Sequence, residues 1–429
     1  MKKYILNSFI AVTLLFAASC KPEIDTPAGT SAGTANFSKY IAVGNSLTSG
    51  FADGGLYLEG QMVAYPNLMA EKMASVGGGS FTSPFFTEAQ ANGSGYASLT
   101  ALVNGTPTIG KVTNNLAFRD AAGHLTKYTT EVQNLGVPGM RVDLAFAGQF
   151  SALNPYFERL LPDAQVGNTT YFQFVQGRNH TFFSLWLGNN DALGNALNGG
   201  VTVLTDPTTV LTDKASFALL YSNLINSLTA NGQKGVVGTI PDVTAVPYFN
   251  TVTVSALLGA AKAINPAATA VYIQTGTGAV RAATNEDLIR LPFQNEGLFG
   301  VPTGGIPYGL HPLNPITNNW VLDKDEVAKI KDYVNSYNST IKSLATSKGL
   351  AIADTYAYFN QVKTGVMIQG VGINSAFITG GAFSLDGIHL TPRGNAVIAN
   401  VFIDAINATY ASTVPNIDIT QYRGVKFPN

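Results

Sequence analysis

The stretch Tyr40-Ile-Ala-Val-Gly-Asn-Ser-Leu-Thr-Ser-Gly50 decides how this chain folds. Tyr40 to Val43 is a short apolar run of the kind that makes a buried strand, and it ends at a glycine, a polar residue and a serine. Gly44 and Gly50 bracket a tight strand-to-helix turn whose free N–H groups can face developing negative charge. Ser46 is thereby displayed at a strand end as a potential nucleophile. A Gly-x-Ser after an apolar run is often no more than a turn, so the reading depends on what else the chain carries.

Three further segments bear on it. Asn134-Leu-Gly-Val-Pro-Gly139 offers a glycine whose bare backbone N–H can approach a ligand closely, which makes Gly139 a candidate oxyanion donor. Thr181-Phe-Phe-Ser-Leu-Trp-Leu-Gly-Asn-Asn-Asp191 is a second apolar strand running into a polar loop, and it sets the amide of Asn190 at a strand's carboxyl end. Leu385-Asp-Gly-Ile-His-Leu-Thr-Pro-Arg-Gly394 holds a carboxylate and an imidazole three residues apart, so Asp386 can orient His389. Thr391 reads as a helix N-cap and Pro392 as the first helical residue, which holds His389 just before a sharply started helix. The other histidines, His124, His180 and His311, read as surface or loop residues.

Together these segments resemble the SGNH, or GDSL-type, hydrolase family, whose blocks supply Ser, Gly, Asn and His in that chain order. Here the order is Ser46, Gly139, Asn190 and His389. Gly235-Val-Val-Gly-Thr-Ile-Pro-Asp-Val-Thr-Ala-Val-Pro247 is similar to the strand and Pro-rich loop these enzymes carry mid-chain, and Leu350-Ala-Ile-Ala-Asp-Thr-Tyr-Ala-Tyr-Phe359 precedes the last block. The resemblance spans about Phe37 to Ala411. One departure stands out, since Asn45 occupies the place of the usual Asp in the first block. It is nearly isosteric and keeps an acceptor oxygen, so it can hold the turn without the charge.

The resemblance implies a flavodoxin-like three-layer αβα sandwich with a parallel central sheet. It implies acyl transfer in two steps, with Ser46 as nucleophile, His389 as base and Asp386 orienting the imidazole. Ser46 N–H, Gly139 N–H and the Asn190 amide would form the oxyanion hole. No metal or organic cofactor is required. The expected substrate is a lipid or other acyl ester; a carbohydrate O-acetyl ester is the alternative. A non-catalytic lipoprotein that binds lipid or glycan in an inherited cleft is a reading of a different class.

The first residues have a basic start, an apolar middle and small residues before the chain's only cysteine, the pattern of a bacterial lipoprotein signal over 1–19. A lone cysteine forms no internal disulfide, and Cys20 reads as the lipidated first residue of the mature protein. Lys21 follows it in place of the Asp associated with inner-membrane retention, which points to the outer membrane of a Gram-negative cell. Residues 20–36 are small, polar and rich in Pro and Gly, a flexible tether. Beyond the signal there is no apolar run of about 18 residues, hence no second membrane span.

The chain has 429 residues, with 25 Lys and Arg against 26 Asp and Glu, so no basic excess suggests nucleic acid. The blocks are distributed from end to end, which favours one hydrolase domain over 37–412 and a tail over 413–429. Two insertions interrupt it, at about 76–130 and 250–319; the first reads as strands and loops above the active site. The second is irregular and apolar, and long loops of that kind are expected to be lids or binding walls. Leu322 to Thr346 reads as a helix with a solvated charged face that includes Asp323 and Glu326. Asp242 and Asp354 end apolar runs and read as loop-turn residues. Trp186 reads as core.

Overall fold

The computed structural model describes residues 29–103 and 105–428. The signal segment, Cys20 and the first part of the tether lie outside the described residues. Everything from Ser31 onward belongs to one compact unit.

The central sheet is parallel and runs β1 (Tyr40–Gly44), β4 (Phe182–Trp186), β5 (Lys234–Gly238), β6 (Ala351–Ala353) in spatial order. Outside β1 the chain at Asn134 bridges to Ala42, with Gln133 O, Leu135 N–H and Val137 N–H bonded along the edge of β1. This edge position is thus held by a short bridged segment and not by a full strand. With it in place, the order is the 2-1-3-4-5 of a flavodoxin-like sheet.

Every residue of β1 and β4 is buried, as a parallel sheet covered on both faces requires. The two faces separate by strict alternation. Ile41, Val43, Phe183, Leu185 and Val237 join a core with Phe217 and Leu224 of helix α4 (Lys214–Leu228) and with Ile330 and Val334 of α5 (Lys324–Ser347). Tyr40, Ala42, Phe182, Trp186 and Val236 join a second core with Leu68 and Met69 of α2 (Tyr65–Ala74) and with Phe402 and Ile406 of α7 (Pro392–Tyr410). These are the three layers. Trp186 is fully buried and its Nε1–H donates to Thr239 O at 3.0 Å, so truncating it to Ala would cost about 3–5 kcal/mol.

The helices begin at side-chain caps. Asp213 accepts the N–H groups of Ala215 and Ser216, Asp323 and Glu326 form a reciprocal capping box at α5, and Asp354 caps α6 (Thr355–Thr364). Asp323 and Glu326 are therefore not part of a solvated face. Asp242 accepts the Thr244 N–H at 3.0 Å within its own turn.

The first insertion carries an antiparallel hairpin, β2 (Tyr96–Val103) with β3 (Thr106–Val112), and Leu99 of β2 is buried with Ile378, Leu385 and Val425. The hairpin therefore packs on the segment leading to Asp386. The second insertion is more regular than its composition suggests. It holds a helix, Val254–Ile264, small antiparallel strand pairs, and its own core around Val271, Ile289, Phe293 and Ile316. Among the described residues no helix is long and apolar enough to cross a membrane.

Candidate active site

Ser46 is the first residue of a one-turn helix, α1 (Ser46–Ser49), immediately after β1. Asn45 caps it, its Oδ1 accepting the Leu47 N–H at 3.1 Å. By position the N–H of Ser46 has no partner within the helix. Gly44 is dictated by space, because a Cβ there would lie 2.0 Å from Thr48 Oγ1 and 2.7 Å from Trp186 O. The Asn45 Nδ2 is buried without a hydrogen-bond partner, as is Asn189 Oδ1.

The loop before α7 brings its histidine to the serine across 343 positions of sequence, with His389 Nε2 2.9 Å from Ser46 Oγ. His389 Nδ1 lies 2.8 Å from Asp386 Oδ2. A carboxylate offers only lone pairs, so the ring proton sits on Nδ1 and Nε2 is left as an acceptor for the serine hydroxyl. Thr391 caps α7 by accepting the Gly394 N–H at 3.0 Å, and Pro392 follows as the first helical residue. The imidazole also packs on Phe51, with ring centroids 4.8 Å apart.

Asp386 is held by more than the histidine. Its Oδ1 accepts the N–H groups of Ile388 and His389 and the Ser384 hydroxyl, and its Oδ2 accepts the Gly54 N–H. Burial alone would push its carboxyl up, but its pairing with His389 and the backbone N–H groups of His389 and Ile388 outweigh burial and hold it far below the ordinary carboxylate range. It stays ionised.

Asn190 follows the end of β4, and Gly139 follows the segment bridged to β1. Val137 N–H bonds Gly44 O, two residues before Gly139 on one segment and two before Ser46 on the other. Gly139 has φ +78°, a conformation that favours glycine, and Asn154 Nδ2 donates to Pro138 O at 2.7 Å to hold the turn. Asn190 opens the helix α3 (Asn190–Leu197) after β4, and one hydrogen of its amide goes to Met140 O at 2.9 Å. The second amide hydrogen has no hydrogen-bond partner among the described residues. Ser46, Asn190 and His389 line one pocket with Leu47, Val243 and Ile388.

Other histidines take no part. His180 is buried, not superficial as its sequence context suggests, because its Nε2 meets Leu228 O at 2.9 Å under the start of β4. His124 is half-buried and pairs with Asp120 at 2.7 Å, and His311 bonds the Leu313 N–H in its own loop. Neither insertion lines the serine pocket; Pro241, Val243 and Val246, just after β5, do so instead.

Several supports had no signal in the sequence. Asp53, at φ +54°, accepts the Leu385 N–H at 2.8 Å and the Tyr57 hydroxyl at 2.7 Å. Burial first, and then the nearby Asp386 charge, raise its carboxyl above the ordinary range against the pull of those donors. Arg141 is 1% exposed and ties the carbonyls of Asn190, Thr208 and Val210 together.

No curated protein sequence matches the chain. Among solved structures it is similar to LAE5, an alpha/beta hydrolase enzyme from the metagenome of Lake Arreo, Spain, at 13% identity and a TM-score of 0.38, covering 87% of this chain and 97% of that one. A mutant of an acetyl-xylooligosaccharide esterase from Geobacillus stearothermophilus matches at 11% identity and 0.37, over 87% and 96%. An extracellular lipase from Streptomyces rimosus matches at 12% and 0.32, over 86% and 98%. The model of the GDSL-like lipase/acylhydrolase family matches residues 40–402, from the first strand through most of the last helix, and the chain belongs to that family of ester-hydrolysing enzymes.

Proposed function

We propose that the protein is a serine esterase of the cell envelope that cleaves carboxylic esters of apolar acyl groups. The observation that carries this reading is the line Ser46 Oγ, His389, Asp386, with contacts of 2.9 and 2.8 Å, opening into a pocket walled by Leu47, Leu193, Val243 and Ile388.

Ser46 Oγ attacks the ester carbonyl while His389 Nε2 takes its proton, and ionised Asp386 stabilises the imidazolium that forms. The tetrahedral oxyanion is bound by the N–H groups of Ser46 and Gly139 and by the Asn190 amide. Its collapse expels the alcohol, which receives the proton from His389. Water then attacks the acyl-enzyme with His389 again as base, releasing the acid and Ser46. The steps are complete with the protein's own groups.

The signal pattern ending at Cys20 supports export and attachment through a lipid on that cysteine, with Lys21 favouring the outer membrane. Residues 21–36 would then let the enzyme stand off from the bilayer.

The test is hydrolysis of p-nitrophenyl esters by the wild type, Ser46→Ala and His389→Ala, with labelling by a serine-directed phosphonate. Activity and labelling that both depend on Ser46 are expected. A Ser46→Ala protein with near-wild-type activity would end the assignment.

A further inference from the structure

A cavity of about 310 Å³ shares no lining residue with the serine pocket. It falls within the roughly 300–1,000 Å³ of small-molecule sites. Tyr96, Ser98 and Leu99 of β2 line it from the first insertion, and Arg423, Lys426 and Phe427 line it from the C-terminal tail. The family match ends at residue 402, so the tail residues lie beyond it.

The cavity combines flat apolar surface with open polar groups. Tyr57 covers one face of the Tyr96 ring, with centroids 4.0 Å apart and planes 22° from parallel. Tyr96 reaches the cavity and Tyr57 does not, so the ring is held from behind. Phe427, half exposed, adds a second aromatic side chain, and Leu99 and Leu385 are buried apolar neighbours. Among the described residues the side chains of Tyr96, Ser98 and Lys426 have no hydrogen-bond partner. Glu59 accepts Arg423 Nε at 2.8 Å and Nη2 at 2.7 Å, both on Oε1, which leaves Oε2 open. Asp53 and Glu59 balance Arg423 and Lys426 in charge, so the lining favours neither an anion nor a cation.

A sugar meets these conditions. Each of its hydroxyls both donates and accepts, and its C–H face packs on an aromatic ring. We propose that this cavity binds a neutral saccharide, with a pyranose ring laid on Tyr96 and its hydroxyls shared among Ser98, Glu59 Oε2 and Lys426. Neither Ser46 nor His389 lines the cavity, so the sugar is held apart from the reacting ester. The site attaches the enzyme to a glycan and does not position the scissile bond.

The experiment is calorimetric titration of the full-length protein with cellotetraose, xylotetraose, chitotetraose and maltotetraose, a readout that needs no hydrolysis. At least one is expected to bind with a Kd of about 1 mM or tighter. Tyr96→Ala should weaken that binding about tenfold, and Phe427→Ala should weaken it as well. The same sugar at saturation should leave the KM for p-nitrophenyl acetate unchanged. Should Tyr96→Ala fail to fold, Phe427→Ala, altered in the tail, decides alone. No binding tighter than about 10 mM by any of the four would overturn the inference, as would binding that neither variant weakens. A sugar that raises the KM for the ester would be seated at Ser46 and would overturn it too.

Discussion

The backbone N–H of Gly54 donates to Asp386 Oδ2 at 2.8 Å, and that oxygen is the one facing His389 Nδ1. The turn that follows the serine helix is thereby fastened to the loop that supplies the carboxylate and the imidazole. Asp53 makes the fastening double. Its N–H donates to Ser384 Oγ at 3.0 Å, and its carboxylate accepts the Leu385 N–H. Serine and histidine come from opposite ends of the chain, and this brace sets the distance between them.

Asp53 is accordingly expected to act as a positioning residue. Asp53→Ala removes both acceptors and leaves alanine in a left-handed conformation, so the Asp386 loop should shift. Displacements near 1 Å can cost about 10²-fold in rate. A fall in kcat of about 10- to 100-fold with little change in KM is expected. Asn tolerates the same backbone and keeps one acceptor, so Asp53→Asn should recover most of the loss. Equal losses in both variants, or a loss confined to KM, would contradict a positioning role.

Asn190 is expected to contribute to kcat and not to folding. One amide hydrogen is committed to Met140 O, which fixes the orientation of the other. Removal of one oxyanion donor typically costs about 10²–10³ in turnover. Asn190→Ala should show that loss in kcat on a short ester, with thermal unfolding close to wild type. A kcat within about threefold of wild type would take Asn190 out of the oxyanion hole.

What the sequence made legible is local. The turn at Gly44 to Gly50, the Asp386 to His389 spacing and the Thr391–Pro392 cap are written in contiguous residues whose chemistry implies their geometry. What it hid depends on long-range contact. Gly54 and Asp53 look like any turn, and their meaning comes from residues 332 positions away. Asn154 beneath Pro138 O and the burial of His180 against Leu228 O are likewise set by tertiary packing. The sequence suggests an apolar wall built from the long insertions, where apolar residues are plentiful. In the fold those residues pack into their own core around Ile289 and Phe293, and the short Pro241–Val246 loop lines the pocket.

Arg141 connects that site to the sheet. Its guanidinium pairs with Asp143, bonds Thr212 Oγ1 at 2.8 Å and lies in the field of Asp191, which accepts the Val142 N–H at 2.9 Å. Removing one partner of a buried charged cluster leaves the others uncompensated, at a cost of about 3–5 kcal/mol. Arg141→Met should lower the urea midpoint by a corresponding amount and loosen α3. An unchanged midpoint would mean that Asp191 is neutral and needs no counter-charge.

Stability should also depend on pH through Glu326, for a reason visible in its surroundings. The backbones of Gly200 and Gly276 crowd its carboxyl so closely that a Cβ at Gly276 would lie 2.1 Å from Oε1. Burial, with the neighbouring Asp323 charge adding, raises its carboxyl from 4.5 to about 7, against the Asp323 N–H that pulls it down. Between those values the folded protein holds a proton that the unfolded chain has released. The folded state binds more protons there, so stability falls as pH rises through that window, and the loss is complete above about pH 7. Glu326→Gln retains an acceptor for the capping box and cannot ionise. Urea midpoints measured from pH 4.5 to 8 should therefore show the difference, Gln variant minus wild type, growing up to about pH 7 and then levelling. Parallel curves for the two proteins would show that Glu326 titrates in the folded state as it does in the unfolded chain.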